Sequence, residues 1–205
     1  MAKYRPFEFY KLSSTFDESA GPVPATIFSL VAEDDRGALI KDFNDELFAV
    51  HGIDFKCKEV FFTESHRNVI RANHFQLPYD GRDQQAKLVR CVKGKVWDAV
   101  TDLRPWSRTY GKSAGRLLTE TNHMQFYVPK WFGHGYYVLE DSIVCYRADE
   151  VFTRGDSGIY YADPGLKIDW HIPKGTEPSL SEKDRNLMSF KEYDELVRKE
   201  YPKGT

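Results

Sequence analysis

Three short segments of the chain carry side chains that can take up or release a proton. His74 lies in the segment R-A-N-H-F-Q, Tyr146 lies in I-V-C-Y-R, and His134 lies between them in P-K-W-F-G-H-G. Proton transfer at a carbon beside a carbonyl requires a base on one face of a sugar and an acid on the other. Nearby cations stabilise the enolate that forms. These segments therefore predict proton transfer next to a ketone, a reaction that needs no redox cofactor.

Length and charge narrow the class of protein. The 205 residues suit one domain, or a core domain with extensions, and a hydrophobic content of 41% is enough for a sizeable core. A net charge of −2 gives no overall attraction to nucleic acid or to an anionic membrane. The sequence has no run of about 18 apolar residues that would span a bilayer. We therefore expect neither a nucleic-acid partner nor a membrane partner.

The cysteines and the first residues indicate the compartment. Cys57, Cys91 and Cys145 have no C-x-x-C spacing and lie within apolar runs, which predicts buried free thiols. The first residues lack the apolar stretch of a secretion signal. Both features favour a reducing cytoplasm.

The middle of the chain reads as many short strands, because β-branched and aromatic residues alternate there and are separated by Gly, Pro, Asp and Asn. Strands at this spacing are typical of a sandwich or barrel. Lys93-Gly94 reads as a tight hairpin between two of them. The predicted strands are Cys57–Phe62, Val69–Phe75, Ala86–Lys93, Lys95–Asp102, Gly115–Thr119, His123–Val128, Tyr136–Leu139 and Ser142–Arg147.

Both ends of the chain differ from this middle part. Residues 1–30 contain three prolines and are expected to form an extended lead-in. Residues 31–180 form the predicted main domain, and residues 181–205 a helical segment. Ser189 followed by Glu192 is a capping box, and apolar residues then recur at helical spacing. We expect an all-β fold that ends in a short C-terminal helix.

Landmarks of one enzyme family occur in order along most of the chain. They are D-R-G from Asp35, R-A-N-H-F-Q from Arg71, Q-A-K-L-V from Gln85, the run from Asp98 to Gly111, P-K-W-F-G-H-G from Pro129, Tyr146-Arg147, the run from Ala162 to Trp170, and L-S-E-K-D from Leu180. Through them the chain resembles the dTDP-4-dehydrorhamnose 3,5-epimerases. The resemblance implies a cupin-like jelly-roll β-sandwich and a nucleoside-diphosphate 4-keto sugar as substrate.

The resemblance also implies a role for each of five residues. His74 is expected to be the base that takes the proton from carbon, with Asp163 as the carboxylate that orients its ring. Tyr146 is expected to be the acid on the opposite face. Lys87 is expected to face the ketone oxygen, and His134 to be a second histidine of the same pocket.

Further residues are expected to bind the substrate. Arg36 and Arg71 resemble the family's diphosphate ligands, and the planar guanidinium group matches the geometry of phosphate oxygens. Gln76 and Lys41 are also included among the expected substrate-binding residues. Gln76 stands where many cupins have a second metal-binding histidine. That leaves His74 and His134 as possible ligands, too few for a catalytic metal, so we expect no metal.

The chain departs from the family pattern where the nucleotide is expected to bind. Ala38, Leu39 and Lys41 replace two aromatic residues and a glutamate, and Glu59 and Phe61 replace a glutamine and an asparagine. A carboxylate such as that of Glu59 can accept N–H groups from guanine or cytosine. We therefore expect guanosine or cytidine diphosphate to compete at least as well as thymidine diphosphate.

The residues leave several functions open. The leading hypothesis is epimerisation at C3 and C5 of a 4-keto sugar nucleotide. The first alternative is a 3- or 5-monoepimerase acting on a GDP- or CDP-linked sugar. The others are a cupin that binds a sugar nucleotide without epimerising it, and a ketoisomerase. The resemblance also implies a homodimer, in which the extended lead-in crosses to the partner and completes its site.

Overall fold

The computed structural model describes residues 3–201, and antiparallel β-strands make up most of its regular secondary structure. Twelve strands and three α-helices follow one another. The strands are β1 Lys3–Arg5, β2 Glu8–Lys11, β3 Ala25–Phe28, β4 Leu30–Asp34, β5 Gly37–Lys41, β6 Glu59–Ser65, β7 Ile70–Gln76, β8 Lys87–Asp102, β9 Ser113–Thr119, β10 Met124–Val128, β11 Phe132–Ala148 and β12 Asp156–Gly158. The helices are α1 Asp45–Val50, α2 Glu182–Arg185 and α3 Phe190–Glu200.

Two long strands generate the sandwich. β8 and β11 pair antiparallel along almost their whole length. The second half of β8 also pairs with β9 and the first half of β11 with β7, which builds the sheet β12-β7-β11-β8-β9. The other halves pair with β10 and β6, which builds the sheet β6-β11-β8-β10-β3-β2. The predicted all-β jelly-roll sandwich is confirmed.

The predicted hairpin at Lys93-Gly94 is wrong, because β8 runs through Gly94 without turning back. Gly94 has a φ of +78°, and a Cβ there would lie 2.1 Å from the carbonyl oxygen of Asp141. The register of β11 shifts opposite this point, between Val138 and Val144. Gly94 therefore marks the place where both long strands pass from one sheet to the other. A glycine is present there because the two backbones approach closely, and not because the chain turns back. The two strands predicted on either side of residues 140 and 141 are likewise one strand, β11.

Apolar side chains fill the space between the sheets and cover both outer faces. Val89, Val100 and Phe126 belong to the inner core. A group around Phe48 of α1 covers one outer face. The group around Tyr193 of α3 covers part of the other outer face. The sandwich is thus closed over most of its surface, and the space left between the sheets is where a small molecule can be bound.

The C-terminal helix begins as its capping box predicted. The Ser189 hydroxyl accepts the N–H of Glu192 at 3.2 Å, and the Glu192 carboxylate accepts the N–H of Ser189 at 2.7 Å. Tyr193 then donates its hydroxyl to the Leu103 carbonyl oxygen at 2.8 Å, which fixes α3 to the sheet. None of the helices between residues 3 and 201 has both the length and the apolar character that crossing a membrane requires.

The predicted lead-in forms strands. β2 pairs with β3, and β3 pairs with β10, so both belong to the large sheet system. β1 pairs instead with β4, which pairs with β5 in a separate three-stranded sheet. Residues 1, 2 and 202–205, at the outer ends of the first and last predicted segments, lie outside the described residues. The small sheet carries two of the predicted substrate ligands, Arg36 and Lys41.

Candidate active site

A cavity of about 200 Å³ opens between the two sheets. Strands β6, β7, β8 and β11 supply most of its wall, because the side chains on their inner faces point into the space between the sheets. Six of the residues predicted from the sequence line it: Phe61, Arg71, His74, Lys87, His134 and Tyr146. Four other residues complete the wall: Thr63, Gln85, Phe152 and Asp156. The structure therefore brings the predicted base, acid and cation together.

The carboxylate partner of His74 is Asp184. The Nε2 atom of His74 lies 3.1 Å from Oδ1 of Asp184, and the Asp184 side chain is almost fully buried. Asp184 lies on the one-turn helix α2, whose first turn is capped by the Ser181 hydroxyl. A carboxylate at this distance orients the imidazole and stabilises its charged form. His74 and Asp184 thus form the dyad that the chemistry requires.

The predicted pairing of His74 with Asp163 is wrong. Both oxygens of Asp163 accept backbone N–H groups, from Gly165 at 2.8 Å and from Phe190 at 3.0 Å. Asp163 therefore holds its own turn against the beginning of α3, where helices have N–H groups without intrahelical partners. The signal that would have found the partner was present, since Asp184 ends the L-S-E-K-D landmark.

His134 also has a buried carboxylate partner, which the sequence did not reveal. Its Nε2 atom lies 2.9 and 3.0 Å from the two oxygens of Asp98, and both side chains are almost completely buried. Burial raises the pKa of the Asp98 carboxyl, and the His134 ring acts against that shift. The pair fixes the orientation of the His134 ring beside the cavity, where His134 of β11 is directly opposite His74 of β7.

Tyr146 is well placed to act as an acid. Its ring stacks on Phe61 with 4.7 Å between ring centroids and an angle of 6° between ring planes. The Tyr146 ring also packs edge-to-face with the His134 ring, with 5.7 Å between ring centroids. Burial raises the pKa of the Tyr146 hydroxyl well above its usual value of 10. The phenol therefore stays protonated over the physiological range and has a proton to donate.

Two cations face the cavity. Lys87 is buried, and that burial lowers the pKa of its ammonium group while the Asp156 carboxylate raises it. Arg71 donates from Nε to the Ser65 hydroxyl at 2.9 Å and from a terminal nitrogen to the Glu64 carbonyl oxygen at 3.3 Å. Two of its donors are thereby used to fix the guanidinium group, and Arg71 lines the cavity. Both cations can stabilise negative charge on a bound oxygen.

Gln76 and Glu59, both predicted to contact substrate, form hydrogen bonds with backbone groups of their own chain. The Gln76 side chain donates to the Val151 carbonyl oxygen at 3.3 Å and accepts the N–H of Thr153 at 2.9 Å. The Glu59 carboxylate accepts the N–H of Phe152 at 3.0 Å. Both residues lie outside the cavity wall and hold the loop that follows β11. They place the exposed ring of Phe152 at the cavity rim.

Arg36 and Lys41 do not reach the cavity of their own chain. Both lie on the hairpin formed by β4 and β5, where the Arg36 side chain is 85% exposed and pairs with Asp34 at 2.6 Å. Lys41, the last residue of β5, is also exposed.

The predicted burial of the cysteines is confirmed for Cys91 and Cys145, whereas Cys57 is exposed. All three are free thiols.

The fold and the site together define a class of protein. A jelly-roll sandwich has one cavity lined by His74, which is paired with the Asp184 carboxylate, by a protonated tyrosine and by a buried lysine. These are the parts of an isomerase that moves a proton at a carbon next to a carbonyl.

Comparison with known proteins identifies the family. Residues 25–192 match the family model described as dTDP-4-dehydrorhamnose 3,5-epimerase. The Methanothermobacter thermautotrophicus protein of that name is 36% identical over 79% of this chain and 86% of its own length. The Escherichia coli protein is 37% identical over 80% of this chain and 86% of its own length. The chain belongs to the dTDP-4-dehydrorhamnose 3,5-epimerase family and is an isomerase.

A solved structure agrees with this assignment. The Legionella pneumophila enzyme, crystallised with dTDP-4-keto-L-rhamnose, superposes with a TM-score of 0.80 at 29% sequence identity. The match covers 91% of this chain and 94% of that one. The resemblance on which the sequence analysis relied is thereby confirmed.

Proposed function

We propose that this protein inverts C3 and C5 of a dTDP-linked 4-keto-6-deoxy sugar. The observation that carries the proposal is the arrangement of one cavity, in which His74, paired with Asp184, and the protonated Tyr146 line the same space between the sheets. The family to which the chain belongs supports the substrate class. A base and an acid facing one small cavity can act on opposite faces of a sugar ring.

The proposed reaction is a proton exchange through an enolate. His74 takes the proton from the carbon beside the 4-keto group, and the Asp184 carboxylate stabilises the imidazolium that results. The electron pair of the broken C–H bond moves onto the ketone oxygen, where Lys87 stabilises the negative charge. Tyr146 then returns a proton to the same carbon from the other face, which inverts the centre. His74 then releases its proton to solvent and the Tyr146 phenolate takes one from solvent. The same steps at the second carbon beside the ketone complete the double epimerisation.

Thymidine is the proposed nucleoside of the substrate. The prediction of guanosine or cytidine was based on Glu59, and one oxygen of that carboxylate holds the N–H of Phe152. The residue also lies outside the cavity wall. The family match supports thymidine diphosphate, and exchange on a GDP- or CDP-linked sugar is the alternative outcome of the deuterium experiment.

The free thiols and this substrate class support a cytoplasmic location.

Deuterium incorporation tests the proposal. The protein is incubated in D₂O with dTDP-, GDP- and CDP-linked 4-keto-6-deoxy sugars, and NMR locates the deuterium. We expect incorporation at C3 and C5 of the dTDP sugar, with inversion at both. Incorporation at one carbon alone identifies a monoepimerase, and a displaced carbonyl identifies a ketoisomerase. Binding without any exchange on all three nucleotides would leave a non-epimerising cupin and overturn the proposal.

Tyr146→Phe separates the two half-reactions. The base remains, so deuterium exchange at carbon should persist while the inverted product forms about a hundredfold more slowly, since the proton donor is missing. The phenylalanine keeps the stacking on Phe61, so the fold is retained. NMR measures exchange and inversion in one sample. Wild-type inversion in this variant would show that another group or water is the acid.

We also propose that the enzyme is a homodimer whose small sheet completes the partner's cavity. Arg36 is exposed at a hairpin away from its own cavity, and the wall of that cavity supplies two cations, Arg71 and Lys87, among the described residues. A diphosphate carries more negative charge than these two groups balance once Lys87 faces the ketone. Arg36 of the partner subunit is the proposed third cation.

Mixing two inactive variants tests this arrangement. Arg36→Ala and His74→Asn should each be nearly inactive alone. After mixing and subunit exchange, about a quarter of wild-type activity should return, since half of the dimers are mixed and each has one complete site. Sedimentation measures the dimer in the same samples. Failure to recover activity, with mixed dimers demonstrably present, would place Arg36 in its own chain's site or outside any site.

Phe152 is expected to bind the nucleobase. Its ring is 64% exposed and lines the cavity, so its face is available to a planar base. Phe152→Ala should raise KM about tenfold and leave kcat within about twofold, because stacking on a base contributes about 1–3 kcal/mol to binding. Phe152→Tyr should retain the wild-type KM. A normal KM in Phe152→Leu would show that planarity is unimportant and contradict stacking.

A further inference from the structure

Two elements flank the ring of His74. Strand β12 pairs with β7 so that Gly158 is opposite His74, and a Cβ at Gly158 would lie 3.3 Å from the Nδ1 atom of His74. Helix α2 lies on the other side and presents Asp184 to the Nε2 atom. The geometry of the dyad therefore depends on how α2 is placed relative to β12.

Helix α2 cannot hold its own position. It consists of the four residues from Glu182 to Arg185, and its i to i+4 backbone bond runs from the Arg185 N–H to the Ser181 carbonyl oxygen at 3.1 Å. A helix of one turn is not stable in isolation, because nucleation costs more than one hydrogen bond returns. The place of Asp184 is consequently determined by contacts between α2 and the rest of the molecule.

An ion pair joins α2 to β12. The Lys183 ammonium group is paired with the Asp156 carboxylate. Lys183 directly precedes Asp184, and Asp156 lies two residues before Gly158 on the strand that faces His74. The Asp156 side chain is 18% exposed and lines the cavity, whereas the Lys183 side chain is 54% exposed and does not line it. The pair thus connects the two elements that flank the His74 ring, α2 and β12.

We propose that Lys183 and Asp156 are positioning residues, which fix α2 to β12 and so keep the Asp184 carboxylate within hydrogen-bond distance of His74. The proposal deepens the function proposed above and rests on it for its kinetic test. Lys183 acts through Asp184 and touches neither the substrate nor the reacting atoms. This distinguishes it from Lys87, which faces the cavity.

The kinetic test changes Lys183, because Asp156 also lines the cavity. Lys183→Met should lower kcat for exchange about fivefold, as expected for loss of a partly exposed ion pair, with KM within about twofold. Lys183→Arg should restore most of the rate. Lys191→Met is the matched control, since it removes an exposed lysine paired with Glu195 on α3 and should keep the wild-type rate.

A double-mutant cycle distinguishes positioning from general destabilisation. In an Asp184→Asn background, Lys183→Met should cause no further loss, because the group through which Lys183 acts is already absent. An equal loss in both backgrounds, or a wild-type rate in Lys183→Met, would overturn the proposal.

A readout without turnover keeps the proposal separate from the proposed function. Long-range ¹H–¹⁵N spectra of the His74 imidazole report on the hydrogen bond at Nε2. Lys183→Met should displace the Nε2 resonance in the same direction as Asp184→Asn, and Lys191→Met should leave it unchanged. An unchanged Nε2 resonance in Lys183→Met overturns the positioning role. Absence of exchange in the wild-type protein, by contrast, would overturn the proposed function alone.

Discussion

His74→Asn should abolish deuterium incorporation at every carbon of the substrate, with a loss of roughly a thousandfold or more. General bases typically contribute 10²- to 10⁴-fold. Burial raises the pKa of the Tyr146 hydroxyl and keeps it protonated, and the Nε2 atom of His134 is already bound to Asp98, so neither group is expected to replace the base. Lys87 is the proposed cation beside the ketone oxygen. Asparagine keeps a polar side chain of similar size opposite Asp184, so the fold should be retained.

The measurement for His74→Asn is deuterium wash-in followed by NMR, with calorimetric binding of thymidine diphosphate as the control. Binding should remain, because His74, the proposed general base, is expected to contact the sugar and not the nucleotide. Near-normal wash-in would remove the assignment of His74 as the base. Loss of both wash-in and binding would instead show that the substitution disturbs the site as a whole.

The sequence predicted the fold well where side chains alternate. β7 and β10 begin within one residue of their predicted starts, because alternating apolar residues mark a strand with one face on the core. It failed at Gly94, where a turn-like residue sits inside β8. The reason is that a glycine with positive φ serves equally well in a hairpin and at a bend where another strand approaches. Only the tertiary pairing with β11 distinguishes these two cases.

The candidate site was predicted in its residue types but only partly in its pairings. His74, Tyr146 and Lys87 lie on strands, where alternation fixes which way a side chain points. Asp184 lies on a one-turn helix and Asp163 on a turn, and neither has a periodicity that could reveal its direction. Sequence motifs therefore identified the segments that meet at the cavity, and the structure was needed to decide which carboxylate reaches His74.

Loops account for the other differences. Glu59 and Gln76 lie on strands that border the cavity, and both were expected to contact substrate. Their side chains instead hold the backbone of the loop after β11, with bonds to Phe152 and Thr153. Irregular backbone near a core needs such partners, because unpaired N–H and C=O groups are costly when buried. That demand cannot be read from a sequence without knowing where the loop runs.

The two aspartates provide a decisive comparison, because the same substitution should have opposite consequences. Asp184→Asn should reduce the exchange rate about a hundredfold or more, since an amide neither stabilises the imidazolium nor fixes the correct tautomer of His74. Its unfolding free energy should change little. Asp163→Asn should keep the rate within about threefold and lower the unfolding free energy by about 1–2 kcal/mol, because an amide nitrogen cannot accept one of the two backbone N–H groups.

Exchange rates and urea unfolding of both variants, measured beside the wild type, give the four numbers required. The result that contradicts the structure is the reverse pattern, in which Asp163→Asn loses catalysis at unchanged stability. It would mean that the turn from Ala162 moves onto His74 when substrate binds, and that the contact of 3.1 Å between His74 and Asp184 belongs to the empty site alone. The two bonds from Asp163 to the Gly165 and Phe190 backbone argue against such a movement, because both would have to break.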